Sequence, residues 1–564
     1  MRSPTPAAGA PGADRSPRLL RSMGVLGGGT VAAALMGLAF QSLLAYWFGA
    51  GAETDAWFMS LSIFAFLAKF LMLTHLKSLT LPLYARLRGG DPDRADALAG
   101  GLFKLSLVVL GGLTAVLLLA APLLVGLLAP GYDGAMRELT ITLVRIRVPG
   151  LLFLGAITVG MAVLESRDRF GVTVSAQKLV PAALSLALLV VVGDRLGIVA
   201  VGWIGLIATV GGAAVVLLAA RRFLPAVPLA AAARDPAARD VGRQWFRFSG
   251  SNGATLVGEW AFRVGASLLP VGLFSAVLYG RMVHDLLHGA VNDAAQTASL
   301  PRFARMAAVR EGDGDGEGER RLGAGLREAM AGLTALNLPL GLYVAMAAPW
   351  IVALLFGRGR FLDDGMVGPA AVALSLFAAG FVLQGLVQLV FAAAFASDRS
   401  ALVNRVQIVG HLARAAALVP LVSAFSYVGL VGAQVGMNLL VLALLVAGAP
   451  AAWGLHRNPG VLRAAAAAAP APVLHVLWVA PRLPDPLAVG DVERLAVVAL
   501  LGLMVVAAAT VANLVVNDDP AGARQDTLAW ATGVNFAGFN VIMIAIAITL
   551  LGIIVRLWMR VESV

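Results

Sequence analysis

Ala121–Leu128 reads APLLVGLL, and 227 residues later Ala348–Leu355 reads APWIVALL. Asp168-Arg169, followed by Gln177, returns as Asp398-Arg399 with Gln407, and Val201-Gly202 returns as Val431-Gly432, both 230 residues on. Three landmarks at nearly one offset indicate an internal duplication, with halves at 24–220 and 245–449.

The surroundings of these landmarks set the class of protein. Of 564 residues, 59% are hydrophobic and 13% charged, and the mean hydropathy is +0.85. Soluble domains hold about 45–50% apolar and about 25% charged residues, so a water-soluble enzyme and a disordered or fibrous chain are both excluded. The 63 glycines have no collagen period and suit closely approaching membrane helices. With no cysteine, disulfides, thiolate metal sites and cysteine nucleophiles are ruled out.

A helix needs about 20 apolar residues to cross a bilayer. Such runs lie near 24–48, 56–82, 98–129, 139–164, 172–193 and 198–220, then 245–269, 271–300, 324–356, 367–396, 401–424 and 428–449. Three more follow near 462–480, 491–516 and 528–556. Lysine and arginine stay on the cytoplasmic side, and Arg2, Arg15, Arg18 and Arg21 place the amino terminus inside. Every second connection is also basic: Arg86 to Arg94, Arg167 and Arg169, Arg221 to Arg247, Arg302 to Arg327, Arg399 and Arg405, Arg457 and Arg463. Those between are nearly bare, apart from Arg358 with Arg360 and Arg482 with Arg494. The net charge of +11 thus reads as topology and not as nucleic-acid binding. An odd number of spans leaves the carboxyl terminus outside, with Asp518, Asp519 and Arg524 marking the last internal connection.

The expected organisation is all-α and polytopic. A disordered cytoplasmic tail (1–22) precedes an N-lobe (23–222), a cytoplasmic linker (223–244), a C-lobe (245–450) and carboxyl-terminal helices (451–564). Six spans per half is an even number, so both halves insert the same way round. That is the parallel-repeat class, with its substrate site between the lobes. The segment EGDGDGEGE at Glu311–Glu319 has the oxygen ligands of a calcium site without the spacing of a calcium hand, and reads as a solvated loop.

Three further segments carry a resemblance. They are Phe48-Gly49-Ala50-Gly51 with Thr54-Asp55-Ala56-Trp57-Phe58; Ala266-Ser267-Leu268-Leu269-Pro270-Val271-Gly272 running to Tyr279 and closing on Leu300-Pro301; and Leu338-Pro339, Ala348-Pro349 and Leu354 to Phe361. Over residues 24–450 the chain resembles the MurJ-type lipid II flippases, of the superfamily that also holds multidrug and polysaccharide exporters. The resemblance implies fourteen helices, with the run at 528–556 as one extra, in two six-helix lobes plus a final pair lining a lipid groove. It also implies a bacterial cytoplasmic-membrane location and a place in cell-wall biogenesis. Departures accompany it: where the family's first helix carries a serine–arginine pair, a glycine and an arginine–aspartate pair, this chain has Ala33, Ala34, Gly37, Phe40 and Gln41, so the glycine is kept and both arginines and the aspartate are gone. The paired basic residues of the second helix are Ala68 and Lys69, and the eighth helix reads Tyr279-Gly280-Arg281-Met282.

Charges at membrane depth need partners or water. The residues expected to hold an anionic substrate are Arg263, Lys69, Arg281, Arg145 and Asp55. Arg263 lies four residues after Glu259, so an ion pair within one helix is its alternative role. Arg145 and Arg147, two apart, point to different faces, while His411 and Arg414 read as packing or lobe contacts. On the eighth helix Arg281, Asp285, His288 and Asn292 recur at steps of four, three and four and share a face. Glu259, His284, Asp285, His288 and Asp293 are the candidates for ion or proton coupling. Two histidines without a third ligand do not make a metal site, and neither metal nor cofactor is expected.

The leading expectation is a monomeric flippase for a polyprenyl-diphosphate-linked saccharide, with membrane lipid around it and no bond made or broken. The lost first-helix arginines point to a substrate other than lipid II or to a specialised role. Alternatives are a multidrug or cation antiporter of the same superfamily, and a non-transporting scaffold that gathers cell-wall synthesis enzymes. A glycosyltransferase is set aside for want of a large external loop.

Overall fold

In a hydrocarbon environment a segment must satisfy its own amides, and a helix does so within one stretch of chain. The computed structural model describes residues 16–251, 253–308, 317–468, 472 and 475–516, and among them every regular element is helical. The expected fifteenth span at 528–556, residues 1–15 of the tail and residues 311–316 of the acidic loop lie outside the described residues.

In chain order the helices are α1 (Ser16–Phe48), α2 (Ala52–Phe70), α3 (Leu73–Arg88), α4 (Pro92–Leu119), α5 (Ala121–Leu128), α6 (Gly134–Arg147) and α7 (Gly150–Glu165). There follow α8 (Phe170–Val174), α9 (Val180–Val192), α10 (Gly197–Ala220), α11 (Leu229–Arg234), α12 (Pro236–Ser251), α13 (Gly253–Ser267) and α14 (Leu273–Ala308). The rest are α15 (Glu317–Phe356), α16 (Arg360–Asp363), α17 (Val367–Ala379), α18 (Phe381–Ala396), α19 (Ser400–Gly448), α20 (Pro459–Ala468) and α21 (Asp491–Val516).

Among the described residues seven helical stretches are long and apolar enough to cross a membrane, and Ala52–Phe70 with His75–Arg88, bent by 42°, makes an eighth. One of the further spans read from the apolar runs lies within α19. At about 1.5 Å per residue, the 49 residues of α19 would far exceed the roughly 30 Å hydrocarbon core. Ser426, at φ 52°, interrupts it. The chain reverses there: Gly410 faces Val441, Gly448 faces Leu402, and Gly429 lies against the Leu421 carbonyl. Two antiparallel helices, 400–425 and 427–448, therefore stand where one continuous helix is counted. A Cβ on Gly429 would come within 2.0 Å of that carbonyl oxygen. Gly429→Ala is expected to open the hairpin at a cost of about 1–3 kcal/mol, read as a lower unfolding midpoint in detergent.

Landmarks of the duplication carry their conformation with them. Asp168 and Asp398 both adopt left-handed backbone, φ 58° and 57°. The following arginine amide bonds back to the helix each time, Arg169 N–H to Leu164 O at 3.0 Å and Arg399 N–H to Ala394 O at 2.8 Å. Aspartate tolerates this region better than most residues. In the first copy the turn is fixed by Arg167, which donates to Asp96 at 2.8 Å and to the Tyr84 hydroxyl at 2.7 Å and stacks on Phe223. Burial alone would lower the Arg167 pKa, yet those partners raise it above its ordinary value.

The chain divides into two compact units. One is built on the described residues of Met1–Phe40 with Leu67–Ala120 and Val144–Ser251. In it α7 packs on α3, α4 and α10, and glycines permit close approach; a Cβ on Gly160 would meet Val216 at 2.4 Å. Its α12 turns Ala238 and Val241 onto Leu76, Leu98 and Leu102, leaving Arg239 and Arg243 exposed. The other unit holds Gln41–Phe66, Ala121–Leu143 and the described residues of Asn252–Val564. Its core, built on Phe303, Leu326, Met330, Val390, Val403, Leu445 and Trp453, joins α14, α15, α18 and α19, and α20 and α21 pack on α15.

Candidate functional site

The segments that carry the resemblance meet in the second unit as a capping structure. Asp55, buried in the first turn of α2, accepts from Gly272 N–H at 2.6 Å and from Ser275 N–H and hydroxyl at 2.8 and 2.5 Å. A carboxylate at a helix start satisfies free amides and opposes the helix dipole, so Asp55 fastens α2 to the beginning of α14. Asp364 does the same for Ala50 N–H at 2.9 Å. Gly272, at φ +88°, lies so close that a Cβ would come within 2.3 Å of the Ala50 carbonyl oxygen. The buried Tyr279 ring packs against Phe58, Phe356 and Phe361 at 5.1–5.2 Å between centroids. All three of Asp55's donors belong to the protein, and the structure places it as an anchor.

Further along α13, Arg263 is 4% exposed. Its Nε and Nη2 donate to the Ser62 carbonyl at 3.0 and 2.8 Å, and its Nη1 donates to the Glu259 carboxylate at 3.1 Å and to the Glu259 carbonyl. The guanidinium stacks on Phe66. Arg263 is thus latched in this conformation, and the ion pair with Glu259 is realised. Arg414 of α19 is also buried; it donates to Gln434, and its charge acts on Arg263. Gly258 gives it room, since a Cβ there would stand 2.9 Å from both Arg414 and His411.

The polar residues of α14 form two adjoining stripes, not one. Arg281, Asp285, Gly289 and Asp293, at steps of four, are the exposed stripe; the side chains of Arg281, Asp285 and Asp293 are 44%, 51% and 58% exposed. Arg281 Nε bonds Asp285 at 3.1 Å. The inner stripe is His284, His288 and Asn292, also at steps of four. The imidazoles stack 5.8 Å apart, and His284 Nδ1 lies 3.2 Å from Asp285. The expected grouping of Arg281 and Asp285 with His288 and Asn292 on one face is corrected by this geometry. One residue in a step of three rotates the helix far enough to turn His288 and Asn292 inward. Where α14 lies at membrane depth, those exposed charges need water or substrate beside them, not lipid.

Two other expected contacts belong to the first unit. Lys69 stands exposed in the last turn of α2, where the chain breaks at Met72 (φ 50°), not within a continuous span. Arg145 is exposed on α6, and its neighbour Arg147 is the buried one, packed on Gly205. Position 37 of α1 is bare: a Cβ on Gly37 would meet nothing within 4 Å. Among the described residues no group of three or more His, Asp or Glu could hold a metal ion.

Sequence reasoning missed the neutral partners of His288: Gln384 Nε2 at 2.8 Å, Gln388 Nε2 at 3.3 Å and Asn292 Nδ2 at 3.0 Å. Asn337 of α15 donates to Asn292 at 2.6 Å, in space left by Gly385. A signal existed, in that Gln384 and Gln388 sit four apart on an otherwise apolar helix.

Comparison with known proteins places this arrangement. The family model described as "Lipid II flippase MurJ" matches residues 44–491. The solved structure of a lipid II flippase MurJ in an inward closed conformation is similar, with a TM-score of 0.69 and 14% identity over 87% of this chain and 98% of that one. An inward-facing multidrug resistance transporter of the MATE family gives 0.60 and 17% identity over 77% and 96%. A MOP superfamily transporter from Pyrococcus furiosus gives 0.51 and 16% over 78% and 95%. At such identities these likenesses speak for the fold alone: an all-α polytopic membrane protein. The match over 44–491 goes further, and the chain belongs to the MurJ lipid II flippase family.

Proposed function

We propose that this chain is a flippase that carries a polyprenyl-diphosphate-linked saccharide, lipid II or a related cell-envelope precursor, across the bacterial cytoplasmic membrane by alternating access. The observation that carries the reading is the family match over 44–491. Its chemistry follows from the substrate: an anionic head group must leave water while its tail stays in lipid. Arginine's forked donors suit a diphosphate, and Arg281 is the cation that the exposed stripe of α14 offers. In this conformation Asp285 occupies it. Substrate would displace Asp285 from the guanidinium, and Arg263 would join only if Glu259 and Ser62 released it. We place the amino terminus in the cytoplasm, six spans in each repeat, and no covalent chemistry in the cycle.

The test is flipping of a fluorescent polyprenyl-diphosphate saccharide by the purified protein in liposomes. Arg281→Ala is expected to slow it at least about tenfold, the worth of one charge-assisted hydrogen bond at about 1.5–3 kcal/mol. Folding should be unchanged, because the side chain is half exposed. Flipping at the wild-type rate by Arg281→Ala removes this residue from the mechanism, and absence of flipping by the wild type removes the function.

A further inference from the structure

The inner stripe of α14 has no place in holding a diphosphate: His284 and Asn292 are buried, and His288 nearly so. Its hydrogen bonding is unbalanced in an informative way. Both ring nitrogens of His288 face amide nitrogens, Nε2 those of Gln384 and Gln388 and Nδ1 that of Asn292. Two buried acceptors nearby, Asn337 Oδ1 and Gln388 Oε1, have no hydrogen-bond partner among the described residues. Asn337 is fully buried, where an unmade hydrogen bond costs about 1–3 kcal/mol.

A neutral imidazole accepts at one nitrogen and donates from the other. A half turn of the Asn292 amide gives the Nδ1 hydrogen an acceptor, and a half turn of Asn337 then lets its Oδ1 accept from Asn292. Protonation puts a hydrogen on Nε2 as well, and half turns of Gln384 and Gln388 present their Oε1 atoms to it. The exchange needs only rotating amides, with no backbone movement, although turning Asn292 gives up its 3.3 Å bond to the Phe381 carbonyl. The same turn takes the Gln388 N–H away from Asp293, which it bonds at 3.2 Å. Asp293 Oδ1 then faces the imidazolium, 3.9 Å from Nε2.

We infer that His288 is a proton-binding site, switched by the amides of Asn292, Asn337, Gln384 and Gln388 and loaded through Asp293. In the loading step a hydronium ion beside the exposed Asp293 gives its proton to the Nε2 lone pair and leaves as water, and the imidazolium pairs with Asp293. The charges acting on His288 are Asp293, His284, Asp285 and Arg281, all on α14. Beyond α14, Arg263 of α13 and Arg414 of α19 act on Arg281 and so on this stretch only at second hand. From α17 and α18 come Phe377 and Phe381, which touch the imidazoles, and Gln384 and Gln388; from α15 comes Asn337. Occupancy of the site would bias the transport cycle; that coupling rests on the flippase reading, whereas proton binding does not.

The experiment has two arms, both on the full chain in liposomes. In the first, histidine-, asparagine- and glutamine-labelled protein is followed by solid-state NMR as pH is changed, with His288 assigned by its loss in His288→Gln. The expected result is that the His288 ring titrates between about pH 5 and 8, where imidazole ordinarily changes charge, and that amide signals lost in Asn337→Leu and Gln388→Leu move with the same midpoint. A ring that keeps one state across that range, amides that do not follow it, or signals that move with sodium at fixed pH would overturn the proposal. Should His288→Gln not fold, Gln388→Leu serves for assignment, with the midpoint expected about one unit lower, a tenfold loss of proton affinity. In the second arm, wild-type flipping is expected to change about tenfold across that pH range. His288→Gln, which keeps hydrogen bonds but takes no proton, should change less than about twofold. Equal pH dependence of the two proteins refutes the coupling. A chain that titrates in the first arm but flips nothing fails as a flippase and keeps its proton site.

Discussion

Replacing Asp55 by alanine is expected to remove folded protein from the membrane, not to slow a folded transporter. The carboxylate is buried and takes three donors, two of them backbone amides at the start of α14. Leaving these buried donors unpaired costs about 1–3 kcal/mol each, together a large part of the roughly 5–15 kcal/mol by which most folds are stable. The damage would spread, because α14 carries Tyr279 into its aromatic cluster and both polar stripes behind it. Yield of monodisperse protein and the unfolding midpoint in detergent measure the effect. Asp55→Asn should fall between, since its amide keeps one acceptor and turns a donor toward donors. A folded Asp55→Ala protein with a normal midpoint and no transport would return Asp55 to the substrate site expected from the resemblance.

Asp55 also illustrates what a sequence makes legible. Helical class and the reversal of chain direction at corresponding points follow from hydrophobic length and from short motifs, which is why Asp168 and Asp398 take the same turn. The motifs most like the family's were legible as identity but not as role: Asp55, Gly272 and Tyr279 close one knot in this fold, and a capping carboxylate looks the same in sequence as a substrate-binding one. The break at Ser426 was legible, since the apolar runs 401–424 and 428–449 lie on either side of it. The one at Met72, φ 50°, was not, because methionine does not announce a left-handed turn, and so Lys69 reads as deeply placed. Direction on α14 was lost for a different reason. A step of three and a step of four lie on either side of the helical repeat, and only burial tells the stripe of Asp285 from that of His288. The amides of α15 and α18 that complete the stripe carry no charge and so raise no flag.

In a strain depleted of its essential lipid II flippase, this protein is expected not to restore growth at normal membrane levels. The charges that the resemblance leads one to seek on the first helix are absent: Ala34, Phe40 and Gln41 stand there. Of the remaining candidates, Arg263 is latched by Ser62 and Glu259, and Arg281 shares its charge with Asp285. Losing two charge-assisted contacts to a diphosphate, at about 1.5–3 kcal/mol each, lowers affinity by two to four orders of magnitude. A transporter with that deficit must draw its specificity from another head group. Full rescue of the depleted strain would make the first-helix charges dispensable and name lipid II as substrate. No rescue, with inserted and folded protein, leaves a flippase for a different lipid-linked glycan and a scaffold for cell-wall enzymes. Lys69→Ala combined with Arg281→Ala separates them in the native host. Both side chains are exposed, so the double variant should fold. A flippase loses its function through the missing cations, whereas a scaffold that recruits enzymes keeps its own.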